Sequence, residues 1–129
     1  MPLAHKLSEN SNVTVECPAG IYNYTHEGIY GKEVEQLINQ RHAKYCFASC
    51  NGLDIQNGIT FSTDLDLTMT RACRNNCDKM VLLADHTKFN ATYYFKILSL
   101  TDIDILITDR KPDEPWITYC KENSITLLY

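Results

Sequence analysis

The sequence predicts a three-layer α/β domain built on a mostly parallel sheet. Three observations predict it. Met80–Leu83 is continuously apolar, the habit of strands buried on both faces, and Tyr45–Cys50 reads as a second strand of that buried kind. Each empties into a polar cluster, Ala84–Lys88 after the first and Asn51–Asp54 after the second. Segments of helical periodicity alternate with these and later strand-like runs, the order that gives βαβ units with right-handed crossovers. The chain has 129 residues, of which 44% are hydrophobic, enough for one domain with its own core.

In order along the chain, Pro2–Glu9 places Leu3, Ala4 and Leu7 on one helical face, with Pro2 suited to a first turn. Asn10, Ser11 and Asn12 end it. Val13–Cys17 (VTVEC) reads as a short β-branched strand. Pro18–Tyr30 reads as a loop, with Pro18, Gly20, Gly28 and the tyrosines Tyr22, Tyr24 and Tyr30. Clustered tyrosines line a pocket or cover a core edge equally well. Lys32–Arg41 is a helix with Val34, Leu37 and Ile38 as its buried stripe. Tyr45–Cys50 is a buried strand, and Asn51-Gly52 after it is a strong turn signal. Gln56–Thr63 reads as a loop. Asp64–Asn76 is a helix capped by Thr63 or Asp64, with Leu65, Met69, Ala72 and Cys73 inward. The strand Met80–Leu83 follows. Thr92–Leu98 is an edge strand, Ile103–Thr108 a further strand closing in Asp109, Pro112–Glu122 a last helix with Trp116, Ile117 and Cys120 inward, and Ser124–Tyr129 a terminal strand.

The formal net charge of −4 argues against nucleic-acid binding by this chain itself, because phosphate neutralisation needs a basic face. No apolar run approaches the about 20 residues that cross a bilayer, and no secretory leader pattern opens the sequence. The six cysteines are Cys17, Cys46, Cys50, Cys73, Cys77 and Cys120. A chain this rich in aliphatics does not need disulfide staples, and the reading is reduced thiols in a cytoplasmic protein. Cys46/Cys50 and Cys73/Cys77 are each four apart, not the two-residue gap of zinc knuckles, although Cys73 and Cys77 would share a face on a helix. No cofactor or metal is expected. The triplets beginning at Asn12, Asn23 and Asn90 match glycosylation sequons and are read as coincidental.

In parallel α/β sheets ligands bind beyond the carboxyl ends of the strands. Asp85, His86, Thr87 and Lys88 occupy that position after Met80–Leu83. They offer an anionic acceptor, a tunable imidazole, a hydroxyl and a cation. Lys88 can pair with a phosphate or sugar oxygen as a mobile point charge. Asp54 and Asp85 can accept from sugar hydroxyls. The backbone N–H groups around Asn51 and Gly52 can approach a ligand closely, since glycine has no Cβ. Each has a plainer reading: Asp54 as a turn cap, Asp85 as an N-cap, Lys88 as a solvated side chain. Asp102 and Asp104 are read as turn residues.

The run Cys50-Asn51-Gly52-Leu53-Asp54, then Gly58-Ile59-Thr60, then Leu82 to Phe89 (LLADHTKF), then Leu100-Thr101-Asp102-Ile103-Asp104 with Leu106-Ile107-Thr108-Asp109, resembles the effector-binding domain of DeoR-family bacterial transcriptional regulators. Order and spacing agree throughout. The earlier segment with Gly20 and Tyr30-Gly31 is similar but weaker, since the family usually shows a Gly-Gly pair where this chain has Ala19-Gly20. The resemblance implies a fold shared with ribose-5-phosphate isomerase, used for sensing a phosphorylated sugar or related metabolite. It implies a ligand set of Tyr30, Gly31, Asn51, Gly52, Asp54, Asp85, His86, Thr87 and Lys88. It also implies a single partial domain over residues 1–129, with the family's winged helix-turn-helix and its first strand and phosphate turn not in this sequence. Operator DNA would then be met only through that other module, and the regulator would be a homo-oligomer with no membrane partner. The rival class is a sugar-phosphate isomerase. The acid-rich motif of those enzymes is replaced here by Asn51-Gly52-Leu53-Asp54, which removes a carboxylate and favours a non-enzymatic role.

Overall fold

The computed structural model describes residues 2–129. Its elements are α1 (Pro2–Ser8), β1 (Ile21–Asn23), β2 (Gly28–Tyr30), α2 (Lys32–Asn39), β3 (Ala43–Ala48), β4 (Gly52–Asp54), β5 (Gly58–Phe61), α3 (Leu67–Asn75), β6 (Cys77–Leu83), β7 (Phe95–Leu98), β8 (Ile105–Ile107), α4 (Glu114–Glu122) and β9 (Thr126–Leu128). A four-stranded parallel sheet runs β3-β6-β8-β9. A three-stranded antiparallel sheet runs β4-β5-β7, and β1 and β2 form a hairpin. The domain is three-layer α/β, as the strand–helix alternation requires.

Strand β6 is central for a reason legible in its residues. Met80, Val81 and Leu82 are all buried. Val81 pairs with Phe47 of β3 on one side and with Ile105 of β8 on the other. Consecutive burial of Met80, Val81 and Leu82 shows both faces covered there, although Leu83 at the end of the run is exposed, and each fully buried aliphatic side chain contributes about 1.5–3 kcal/mol relative to exposure. One core joins both sheets, with Leu53 and Ile59 of the antiparallel sheet packed in the same cluster as Met80, Leu82, Leu106 and Trp116. Helix α4 closes it against β9 through the buried Trp116 and Cys120.

The structure corrects several expectations. Val13–Cys17 is not a strand, because no described strand offers it a ladder, and β propensity without a partner is weak. Pro18–Tyr30 is not simply a loop but carries the β1–β2 hairpin. Gln56–Thr63 contains β5, whose four residues are all buried between β4 and β7. Its Thr60 hydroxyl donates to the Gly52 carbonyl at 3.2 Å and accepts from the Tyr93 N–H at 3.0 Å, so the buried polar group is satisfied. The run Tyr45–Cys50 is not buried on both faces. Strand β3 stands at the edge of the parallel sheet, where Tyr45 and Phe47 are exposed while Cys46 and Ala48 pack on the core. Helix α3 starts at Leu67 with Asp66 as N-cap residue, not at Thr63 or Asp64, and Leu65 stays exposed. Cys77 belongs to β6, so it shares no helical face with Cys73. Helix α1 buries none of its residues, Leu3 and Leu7 included.

Candidate ligand-binding site

Parallel strands β3, β6 and β8 all end on the same edge of the sheet, and each releases polar residues there. Beyond β3 come Ser49, Cys50 and Asn51; beyond β6, Ala84 to Lys88; beyond β8, Thr108 and Asp109. The chain after β6 makes a 3₁₀ turn over His86–Lys88. Asp85 caps that turn: its Oδ1 accepts from the Thr87 N–H at 2.8 Å and from the Thr87 hydroxyl. Those two donors hold the Asp85 carboxyl below the usual carboxylate range, and the Lys88 ammonium adds to the effect.

Asp109 holds the turn from the next strand. Its Oδ1 accepts from the His86 backbone N–H at 2.7 Å and its Oδ2 meets His86 Nδ1 at 2.8 Å. These contacts, the ring first, lower the Asp109 carboxyl to about 2. An ionised carboxylate only accepts, so Nδ1 carries the proton and Nε2 is the nitrogen left to a ligand. The far side of the turn is anchored to α4. Trp116 Nε1 donates to Asn90 Oδ1 at 3.0 Å, and the Phe89 and Trp116 rings meet edge to face at 4.8 Å. Asn90 takes a left-handed φ of 57°, a conformation asparagine tolerates better than most residues.

Lys88 is half-buried in this frame, and among the described residues its ammonium forms no ion pair. Its charge reaches Cys50, whose thiol burial pushes up to about 12, with Lys88 opposing the rise and Asp85 adding to it. Cys50 thus stands between the Asp85–Lys88 turn and a cavity of about 310 Å³ that it lines together with Ser49, Asn51, Tyr30, His26 and Asp66. Burial raises the Tyr30 hydroxyl, and the charge and hydrogen bond of Asp66 raise it further. Tyr30 therefore stays a neutral donor held by Asp66.

The predicted set is only partly brought together. Tyr30 and Asn51 line the cavity, whereas Asp85, His86, Thr87 and Lys88 form the turn after β6 and are not in its wall; His86 instead lines a separate cavity of about 200 Å³ with Phe89, Asn90 and Arg110. Asn51 also uses its Oδ1 to accept from the Ser62 N–H at 2.9 Å and hydroxyl at 3.1 Å. Asp54 is turned to its own hairpin, where Oδ1 accepts from the Gln56 N–H at 3.0 Å and the Asn57 N–H at 2.7 Å. Gly52 does not open space for a ligand. A Cβ there would meet the Ala91 carbonyl oxygen at 2.3 Å, so the missing side chain lets the chain pack on itself. Gly31, at φ 137°, makes the entry into α2. Sequence reasoning missed Asp66 and Asp109 as organising carboxylates. Asp109 carried a usable signal, since it too follows a strand of the parallel sheet. Among the described residues no cluster of three or more His, Cys, Asp or Glu could hold a metal ion.

A three-layer α/β domain with a polar turn held over the carboxyl edge of its parallel sheet is the class that this geometry defines. Within that class the sequence matches the family described as the DeoR C terminal sensor domain over residues 1–110, and the chain belongs to that family. It is similar to the L-fucose operon activator of Haemophilus influenzae, 28% identical over 119 residues that are 92% of this chain and 48% of that protein. It is 27% identical to the HTH-type transcriptional repressor GlcR of Bacillus subtilis over 126 residues, 98% of this chain and 48% of that protein. It is 34% identical to the HTH-type transcriptional regulator GolR of Listeria innocua over 111 residues, 84% of this chain and 42% of that protein. The chain thus spans about half the length of these relatives or somewhat less. No described helix is long and apolar enough to cross a membrane.

Proposed function

We propose that this chain is the ligand-sensing domain of a cytoplasmic transcriptional regulator of sugar metabolism, and that it binds a phosphorylated sugar or a closely related metabolite. The observation that carries the reading is Lys88: a half-buried ammonium without an ion pair among the described residues, at the carboxyl edge of a parallel sheet, whose charge reaches Cys50 in the wall of a cavity of about 310 Å³. An anionic group supplies the charge that position calls for. Asn51 offers its side-chain N–H from the cavity wall, the Tyr30 oxygen, whose proton goes to Asp66, accepts there, and His86 Nε2 and the free oxygen of Asp85 take hydroxyl protons. The names of the relatives support the regulatory setting: an operon activator, a repressor and a regulator of the helix-turn-helix type. Operator contact is assigned to a helix-turn-helix module of that kind, in a self-associating parent protein, and ligand occupancy alters its affinity for DNA. The chain itself performs no reaction.

The test is calorimetry of the chain against a panel of sugar phosphates, each paired with its unphosphorylated sugar, run beside an isomerase assay on the same compounds. Saturable binding of a phosphorylated member, much weaker binding of its partner sugar and no turnover are expected. Equal affinity for both forms would remove the anion from the reading, and turnover would replace sensing with catalysis.

A further inference from the structure

The cavity of about 310 Å³ holds a charge that the sugar-phosphate reading leaves unused. Among the described residues that line it, Asp66 is the one carboxylate, and no lysine or arginine stands in the wall. Asp66 is half-buried, and no salt bridge among the described residues includes it. Nor does its side chain do the work that its place in the fold suggests. It is the N-cap residue of α3, where an aspartate ordinarily accepts an N–H of the first turn. Here the helix uses only its backbone carbonyl, which accepts from the Thr70 N–H at 2.9 Å, and the carboxylate caps nothing. The nearest candidate cation in the wall, His26, packs edge-on against the Tyr30 ring at 6.4 Å and forms no salt bridge with Asp66. The opposite charge stands at another wall. Phe89 bridges Leu53 in parallel, and the Ala91 N–H donates to the Leu53 carbonyl at 3.3 Å. Those contacts set the Lys88 backbone level with Gly52, next to Cys50 and Asn51 of the cavity wall. The cavity thus has a cation beyond its Cys50–Asn51 rim and a carboxylate where α3 begins.

We propose that the ligand is a phosphorylated amino sugar, with its phosphate on the Lys88 side and its ammonium on Asp66. This rests on the sensing reading above and narrows its ligand class. A carboxylate drawn partly out of water needs a partner. A sugar hydroxyl supplies a neutral donor. An ammonium supplies a donor and the counter-charge, and a hydrogen bond between two ionised groups is roughly twice as strong as a neutral one. A ligand whose only charge is phosphate leaves Asp66 uncompensated and brings a second negative charge into the same cavity. A zwitterion answers Lys88 and Asp66 together. N-acetylation removes the ammonium, so the free amine is the form that is recognised. The two oxygens of a carboxylate offer about four lone-pair sites, so Asp66 can serve the Tyr30 hydroxyl and an ammonium at once. Asp66 is then the residue that sets specificity, and Lys88 the residue that sets the requirement for phosphate.

The experiment is calorimetry of the full chain near neutral pH, where the amine is largely protonated. The probes are the 6-phosphates of glucosamine, galactosamine and mannosamine, each beside the matching hexose 6-phosphate. In the pair whose stereochemistry fits, the amino member is expected to bind roughly 10-fold tighter or more, and its N-acetyl derivative to lose that gain. Asp66→Asn keeps an oxygen for the Tyr30 hydroxyl and removes the charge, and it should erase most of the preference in a chain whose urea midpoint shows it folded. The comparison within pairs decides the ligand class without any variant. Hexose phosphates that bind as tightly as their amino counterparts in every pair would overturn the proposal and leave the sensing reading standing. A preference undiminished in folded Asp66→Asn would overturn the assignment to that carboxylate. Binding by none of these probes would overturn the proposal too, and the broader panel of sugar phosphates then decides the sensing reading separately.

Discussion

In the proposed site Lys88 is the residue assigned to a ligand, while Asp109 holds the turn. Lys88 is expected to bind charge rather than to support the fold, since among the described residues it forms no salt bridge and only its charge acts on Asp85. Lys88→Ala should therefore leave the urea midpoint nearly unchanged. It should weaken a phosphorylated ligand by about 1.5–3 kcal/mol, roughly 10- to 150-fold, measured by calorimetry. Unchanged affinity would refute the role. Asp109 works inward. Its carboxyl is lowered to about 2, first by the His86 ring and then by the His86 backbone N–H. A carboxyl with a depressed native pKa binds fewer protons folded than unfolded. Its stabilisation is therefore complete above the ordinary carboxylate value and is lost as pH falls towards about 2. Carbon-detected titration should find Asp109 near that value in the native chain and shifted upward in His86→Ala. In Asp109→Asn, the urea midpoint should fall less steeply below pH 4, the side chain's ordinary range.

At the scale of elements, what the sequence revealed depended on how long and how isolated each signal was. Met80–Leu83 stood out because four apolar residues run into a polar cluster, and β6 is indeed central, with Lys88 half-buried at its exit. Trp116 was legible as inward-facing from helical spacing alone. Strand β5 was not legible. Its four residues follow an Asn57-Gly58 turn, and burial on both faces removes the alternation that marks a strand. Tyr45 and Phe47 misled in the opposite sense, because composition does not say whether a strand sits inside a sheet or at its edge. The site was half legible for a similar reason. Residues clustered in sequence, Asp85 to Lys88, can be read as a group from the sequence, whereas the Tyr30–Asp66 and His86–Asp109 pairs exist only after folding. Gly52 shows how a residue can be singled out correctly for the wrong reason. Its backbone is closely approached, but by Ala91 rather than by a ligand. Gly52→Ala must push β4 away from that carbonyl, at a cost of about 1–3 kcal/mol or more. A clearly lower urea midpoint is expected, and an unchanged one would mean that the contact yields freely.

At the scale of the whole molecule, the polar edge and the electrostatic balance lead to two separable expectations. The chain carries a net charge of −4, with 12 Lys and Arg against 16 Asp and Glu, and its pI is near 5.5. Double-stranded DNA rewards neutralised phosphates, so the chain alone should give no specific gel shift with an operator at physiological salt. A specific shift would place DNA contact within these residues. Ligand binding should instead appear as stability. A ligand in the proposed site touches residues released by β3, β6 and β8 together, an arrangement that exists only in the folded sheet. It therefore binds the native state and not the unfolded one. At a free concentration 100 times its Kd it adds about 2.7 kcal/mol. For a domain of this size that raises Tm by roughly 10 °C. The rise should track the logarithm of ligand concentration and largely disappear in Lys88→Ala. A phosphorylated ligand that binds by calorimetry yet leaves Tm unmoved would place its contacts on a segment ordered independently of the sheet, and the carboxyl-edge site would have to be abandoned.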